Sequence, residues 1–405
     1  MSRTRALHLA VVALVAAAFA CNKPDAGSGA GGGEDSVAAP AAVAPPACGT
    51  LVYALGEGGE HGRSQLARLD LAPGSTPEVF AFESLDAELP RSRYPAALSP
   101  DGTKLLILAS APSPSGKTRD RFELLELDSD GPPTPLATPS DVVLRNPSWA
   151  PDGSFIVFES NAESFRDLYR YDFAGASTLR LTDNAEGNFE PAVSPDGQSI
   201  AFVSSRDGDA EIYVMSADGG SPRRLTTSPG DDTAPQWSPK GDELAFVSAR
   251  ERGRGIDVFV RAMGEGSSAK ASPLVAAREA PILARDLAWS PTGSKLAFTE
   301  LSPKAGEAAV VVVDRATGAR VVETALAGVE EQPAWSPDGT QVVFARGGHE
   351  RSDLLRILVD PPGSTPIAAT AGAGIAWLPR WTIAAGQGCA RVRPPLDPAA
   401  SSGQG

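Results

Sequence analysis

The stretch "EPAVSPDGQSIAFVSSRDGDAEIYVMSADGGSPRRLT", Glu190 to Thr226, decides the fold. Its "SPDG" is turn chemistry. Proline is preset for the first central position of a type I turn, aspartate suits the second, and glycine follows where a positive φ is cheap. "PAV" leads into the turn and "SIAFVS", an apolar β-rich run, leaves it. A polar loop, "SRDGDA", precedes the alternating run "EIYVM", and "RRLT" closes the unit. The pattern reads as four short strands joined by tight connections.

The unit recurs. Aligned on the turn proline, copies fall at Pro100, Pro151, Pro195, Pro239, Pro291 and Pro337, with a degenerate one at Pro379, spaced 42 to 52 residues apart. Two residues before the proline stand Trp149, Trp237, Trp289, Trp335 and Trp377, five of the six tryptophans in the chain. Seven residues after it stand Ile107, Phe158, Phe202, Phe246, Phe298 and Phe344. Rare aromatics at fixed offsets, in four-strand units of this length, are the signature of β-propeller blades. Each aromatic has roughly 150–250 Å² to bury between neighbouring blades.

The sequence therefore predicts an all-β chain folded as a single β-propeller of seven four-stranded blades. The copy at Pro379 lacks a downstream Phe. Gly49 to Phe82 reads as second, third and fourth strands without a first, with Tyr53 in the Phe slot. One blade is thus expected to be composite, its first strand from the C-terminal region near Trp377. Six or eight blades stay open, because "RWTIAAG", Arg380 to Gly386, has the character of a further strand. Closure removes the exposed sheet edges that make β proteins prone to association.

Residues 1–20 read as a signal peptide: Arg3 and Arg5 precede an apolar core too short for a comfortable membrane span. "AFAC", Ala18 to Cys21, fits an ordinary cleavage site, and it also resembles a bacterial lipobox with Ala18 where leucine is usual. We expect lipid on Cys21, with a secreted soluble form as the alternative. Residues 21–47 are a Gly/Ala/Pro-rich linker without aromatics, with an r.m.s. span of roughly 25–30 Å. The propeller is expected over 48–392 and a disordered tail over 393–405. Cys48 and Cys389 flank the closing seam and are expected to pair in an oxidising compartment.

The 405-residue chain carries a net charge of −14, which argues against nucleic acid. Only His61 and His349 lie beyond the first twenty residues, so a multi-histidine metal centre is not expected. The Asp-Gly turns also suit a calcium loop, but Lys240 and Thr292 replace the Asp in two copies. A calcium ligand does not tolerate lysine, so the turns read as structural. No metal and no cofactor are expected.

The unit "PxWSPDGxxIAFxSxRxGxxEIYVM…DGGxxRRLT" resembles the TolB-type propeller repeat of bacterial envelope proteins, most closely over residues 191–226 and with decreasing quality over about 50–390. The resemblance implies a periplasmic or outer-membrane compartment and a protein partner such as a peptidoglycan-associated protein. TolB carries a small α/β domain before its propeller, and no comparable segment precedes residue 48 here, so the specific role of TolB is not carried over.

The functional expectation is a monomeric, non-catalytic binding module, held to the membrane by its N-terminal lipid. The Pro-Asp-Gly turns crowd one face, and the variable loops of the other suit recognition. Arg206, Asp207, Arg250, Arg252, Arg346 and His349 are the candidate partner residues, with Arg254, Asp231, Asp232, Glu330 and Glu331 beside them. Five residues before the turn proline, Asn146, Glu190, Asp286 and Gln332 form a candidate channel mouth. A periplasmic hydrolase or lyase working in the channel is the alternative. No Gly-x-Ser-x-Gly elbow occurs in the chain, and no catalytic residue is assigned.

Overall fold

The computed structural model describes residues 50–382, apart from 57–63, 71–77, 81–91, 113–117, 130, 140–141, 164, 251–254, 265–269, 275–281, 302–306, 325–328, 349–350, 360–361 and 367–374. Cys21, Cys48, Cys389, Arg252, Arg254 and His349 lie outside the described residues, as do the expected signal peptide, linker and tail. The described elements are all β-strands.

The clearest unit is a four-stranded antiparallel meander. Asn188–Val193, Ser199–Ser204, Glu211–Ser216 and Arg223–Arg224 pair in that order. The same order recurs from Ser92 to Pro135, Leu144 to Arg180, Asp232 to Pro273, Ile282 to Glu323 and Val329 to Pro366. The C-terminal strand Ile375–Thr382 pairs antiparallel with Thr50–Gly56, which continues through Ser64–Asp70 to Glu78–Val79. The two ends of the described chain thus share one sheet, as the missing first strand predicted. Arg380–Thr382 adds no further strand. It prolongs the same one, with Trp381 and Thr382 opposite Leu51 and Thr50.

First strands touch first strands all the way round, including the contact between Ile375–Thr382 and Ser92–Leu98. The molecule is a single β-propeller. One- or two-residue parallel bridges stitch the third strand of a unit to the first strand of the next, as at Gly255↔Ile282 and Ala308↔Val329.

The core lies between the units. Phe158, Phe202, Phe246, Phe298, Phe344, Ile107 and Tyr53 are all fully buried, so Tyr53 occupies the Phe slot of the closing sheet. Four tryptophans tie their units to the preceding ones through the indole N–H. Trp149 donates to the carbonyl of Ala97 at 3.5 Å, Trp237 to Ala192 at 3.0 Å, Trp289 to Gln236 at 3.1 Å and Trp335 to Ala288 at 2.8 Å. The turns stack in the same sense. Gly197, Gly241, Gly293 and Gly339 hold φ between 72° and 76°, and a Cβ on any of them would lie 3.3–3.5 Å from the Cδ of Pro151, Pro195, Pro239 or Pro291 in the unit before.

Removing the ring of Phe246 leaves a cavity between two units, so Phe246→Ala is expected to cost about 3–5 kcal/mol. Trp237→Phe keeps most of the packing and loses one hydrogen bond, for about 1 kcal/mol. Chemical denaturation of the two variants checks the order; equal losses would mean that the indole bond contributes as much as the ring.

Candidate functional site

The Ser-Pro-Asp-Gly turns are closed by their own side chains. Ser194 Oγ donates to Asp196 Oδ1 at 2.5 Å and accepts from the Ser199 N–H at 2.9 Å, while Asp196 Oδ1 accepts from the Gln198 N–H. Where Lys240 replaces the aspartate, Asp242 two residues on takes the Ser238 hydroxyl at 2.7 Å. Where Thr292 replaces it, the Thr292 hydroxyl stands 3.4 Å from that of Ser290. The aspartates are turn ligands to serine and backbone, as their replacement by Lys240 indicated.

The channel-mouth positions share an unusual backbone. Asn146, Glu190, Ala234, Asp286 and Gln332 all hold φ between 47° and 60°, and each falls in a bulge of its first strand. Left-handed backbone costs an L-residue roughly 1–2 kcal/mol. Pro95, in the equivalent place, has φ locked negative by its ring, and its strand shifts register between Pro95 and Ala97. What offsets the strain is visible in three units. The N–H of Glu190 donates to Glu159 Oε1 at 2.7 Å, that of Ala234 to Glu190 Oε2 at 2.7 Å, and that of Gln332 to Asp286 Oδ2 at 3.4 Å. Asn146 Nδ2 donates to the same Glu159 oxygen at 2.6 Å, and Thr299 Oγ1 to Asp286 at 3.0 Å. Charge-assisted bonds of this kind are stronger than neutral ones. The candidate channel residues are thus joined by a relay in which a carboxylate of one unit holds the bulge of the next. Glu159, fully buried and paired with Arg166 at 3.2 Å, belongs to that relay and has no signal in the repeat. Its counterparts in the next two units are Val203 and Val247.

The loops between second and third strands share an end with the inter-unit connections: the Ala210 N–H donates to Asp231 Oδ1 and the Asp232 N–H to the Ala210 carbonyl. Arg206 and Arg250, expected as partner contacts, are half-buried inside the framework. Arg206 lies over the rings of Phe202 and Tyr213 at 5.8 and 4.7 Å and donates to Ser204 and Asn188. Arg250 lies over Phe246 and Phe259 at 5.3 and 4.1 Å and pairs with buried Asp232 at 3.1 Å. Their equivalence in the repeat explains this, because both cap the same aromatic pair. Asp207 is half-exposed, accepts the Tyr213 hydroxyl, and stands 3.4 Å from Arg224. Burial, then the Asp207 hydrogen bond, pushes the Tyr213 phenol up to about 12. Arg346 is 3.9 Å from Asp353, and Glu330 is buried beneath the loops with Thr324 donating to it.

A second buried network was not anticipated. Thr182 of "RLT" donates to Asp167 at 2.8 Å and accepts the Leu168 N–H, while Arg180 and Asn188 complete the Asp167 carboxylate. Thr226, Arg224 and Glu211 repeat it one unit later. There, however, Asp232 replaces Asn188, and its Oδ1 is buried without a partner. Burial chiefly, with the Asp232 charge adding to it, raises the Glu211 carboxyl above its ordinary value of 4.5. The recurring Arg-Leu-Thr was the available signal.

Residues 112–286 match the TolB beta propeller domain family. That stretch of the β-propeller is similar to the TolB family. No match to it is found among curated proteins. TolB from Acinetobacter baumannii is 20% identical at a TM-score of 0.52, over 82% of each chain. A puromycin-hydrolyzing peptidase of Mycobacterium tuberculosis is 18% identical at 0.57, over 79% of this chain and 53% of its own, so this chain spans about half of it. An oligogalacturonate lyase in complex with manganese is 13% identical at 0.56, over 84% of this chain and 99% of its own. At these identities the likeness shows the propeller and no shared chemistry.

Asp232→Asn is expected to supply the donor that Asn188 supplies one unit earlier. Stability at pH 7 should rise by about 1 kcal/mol. Because the folded-state pKa of Glu211 is raised, its destabilising effect is absent below the unfolded value near 4.5 and grows as pH rises through the folded value. Glu211→Gln should therefore flatten the loss of stability with pH above 4.5. Denaturation midpoints from pH 4 to 8 check both; an unchanged slope in Glu211→Gln would remove this carboxyl from the account.

Proposed function

We propose that this chain is an envelope-anchored, non-catalytic propeller that binds a protein partner through the loops opposite the Pro-Asp-Gly turns. One observation carries the reading. The channel carboxylates Glu159, Glu190 and Asp286 are engaged in holding successive units together, which leaves the unlike loops as the chemically distinctive surface. Asp207 and Asp209 are exposed there, and Arg206 and Arg250 fix the loop bases. We infer a ring of seven blades. The support is the repeated four-strand meander and the unbroken succession of neighbouring first strands, with the N- and C-terminal strands in one composite blade.

The TolB-like repeats and the leader-like segment before residue 21 support a periplasmic or outer-membrane location, with lipid on Cys21 and the 21–47 linker as a tether. A disulfide between Cys48 and Cys389 belongs to the same proposal and would lock the composite blade.

Photo-crosslinkers at Asp207 and Asp209 are expected to capture an envelope protein in intact cells, and crosslinkers at Asp101 and Asp338 on the turn face are not. Adducts from the turn positions alone would reverse the assignment of faces. The mass of the mature N-terminus tests the anchor, since an unmodified Cys21 excludes it.

A further inference from the structure

One slot of the repeat is filled three ways, and the comparison shows how much charge each junction holds. Seven residues before the turn proline stand Asn188, Asp232 and Glu330, all fully buried. Facing them, on the third strand of the preceding unit, stand Asp167, Glu211 and Ala309, in register with Ser160, Ser204 and Glu300. Asn188 works in both senses. Its Oδ1 accepts from Arg206 at 3.0 Å and Asn184 at 2.9 Å, and its Nδ2 donates to Asp167 Oδ1 at 2.8 Å. Where Ala309 offers no carboxylate, Glu330 brings one from the opposite side and accepts the Thr324 hydroxyl. Both of these junctions hold a single carboxylate between the two slots.

The junction of Glu211 with Asp232 holds two. Glu211 accepts from Thr226 and Arg224, as Asp167 does from Thr182 and Arg180. Asp232 Oδ2 accepts from Arg250 at 3.1 Å and Ser228 at 2.9 Å, which occupy the places of Arg206 and Asn184 around Asn188 Oδ1. Asp232 Oδ1 therefore stands where Asn188 carries its N–H donor, and it is buried with no hydrogen-bond partner. Two buried carboxylates that share a site repel, and a buried acceptor without a donor is costly. One proton turns the repelling acceptors into a donor and an acceptor. Burial, with the Asp232 charge behind it, raises the Glu211 carboxyl in the same sense.

We infer that Glu211 and Asp232 share one proton in the folded chain, and that this proton closes a pH-sensitive clasp between two loops. It lies between Asp232 Oδ1 and Glu211, where the Asn188 amide proton lies in the unit before. The loops 205–210 and 227–231 meet at this pair. The Asp232 N–H donates to the Ala210 carbonyl at 2.7 Å, the Ala210 N–H to Asp231 Oδ1 at 3.0 Å, and the Gly230 N–H to Asp209 Oδ2 at 3.2 Å. The charged groups around the pair are Arg224 on the outer strand, Arg250 after the second strand, Asp207, Asp209 and Asp231 in the loops, and Asp257 across the sheet from Asp232. Tyr213 gives its hydroxyl to Asp207. Both arginines are committed elsewhere, Arg224 to Glu211 and Asp207 and Arg250 to Asp232 Oδ2. The closed pair holds its proton more tightly than the open one. The clasp is therefore favoured at low pH and weakens as pH rises through the folded value of the pair. These loops belong to the face proposed for the partner, but the clasp rests on the buried pair alone and its test needs no partner.

Hydrogen exchange of the purified chain, read by mass spectrometry from pH 4 to 8 as protection factors, tests the clasp. Each unit by which closure raises the pKa of the pair lowers protection about ten-fold once the proton is lost. Peptides carrying the Ala210, Ile212 and Asp232 amides are expected to lose protection at least about ten-fold more than the peptide carrying Leu168. That amide is bonded to Thr182 in the junction of Asp167 with Asn188, so it reports every pH effect except the shared proton. Asp232→Asn copies Asn188 and should make the two junctions respond alike. Glu211→Gln should do the same from the other side, and it carries the test if Asp232→Asn does not fold. At pH 5, above the ordinary range of both carboxyls, infrared difference spectra should show a protonated carboxyl band in the natural chain that both variants lack. No excess loss of protection over the Leu168 peptide, an excess that persists in the folded variants, or no such band would each overturn the inference.

Discussion

Everything in this molecule depends on how one sheet holds the next. A four-stranded meander has two faces to cover and cannot bury either alone, so each unit is stable only between neighbours. Three contacts do this, all of them together at the junctions into the units of Trp237, Trp289 and Trp335. The Phe slot fills the interface, the indole N–H reaches back to a carbonyl of the preceding first strand, and the turn glycine sits on the preceding proline. Each leaves its mark in the sequence because each requires one residue type. Only tryptophan combines a large apolar body with an N–H at its rim. Only glycine takes the positive φ and the close approach without strain.

The closing sheet follows from the same requirement. Among the described residues, the N-terminal segment with buried Tyr53 has no first strand before it, and the strand around Trp377 has no partner strand after it. Antiparallel pairing of Thr50–Gly56 with Ile375–Thr382 meets both needs. It also makes the last unit depend on the two most distant parts of the described chain. Contacts of such sequence separation form late in folding because loop closure must precede them.

Legibility differed by kind of contact. The aromatic slots, the turns and the composite sheet were readable because their residue types are rare and regularly spaced. The bulges at Asn146, Glu190, Ala234, Asp286 and Gln332 were not. Five different residues share that conformation, and none is a glycine whose presence would announce it. The carboxylates that satisfy them come from different strand positions, Glu159 from a second strand and Glu190 and Asp286 from first strands, so no column of the repeat carries the relay. Arg206 and Arg250 were visible, but their packing over an aromatic pair was not. An arginine in a variable loop reads as exposed until the aromatic pair beneath it is known.

Repeats make exceptions informative, because the remaining copies say what the fold alone asks for. Val313 and Met215 show that the third-strand slot asks for a hydrophobe, and Asn188, one unit before Asp232, supplies a donor to its own network. Asp232 and Arg261 each depart from those neighbours in the same unit, one leaving an acceptor and the other a donor without a partner. They are not partners for each other. Asp232 is paired with Arg250 among the loops, whereas Arg261 follows Phe259 toward the turn side of the sheet and meets the Leu225 carbonyl. Uncompensated buried polar atoms are expensive, and this unit shares the cost with the units that hold Tyr169 and Arg180 or Glu330 and Asp353. The physical difference between the two lies in access. Asp232 is closed over at 0% exposure, so its deficit remains internal. Arg261 is half-buried and gives one N–H to the Leu225 carbonyl, so its charge is not wholly cut off from water.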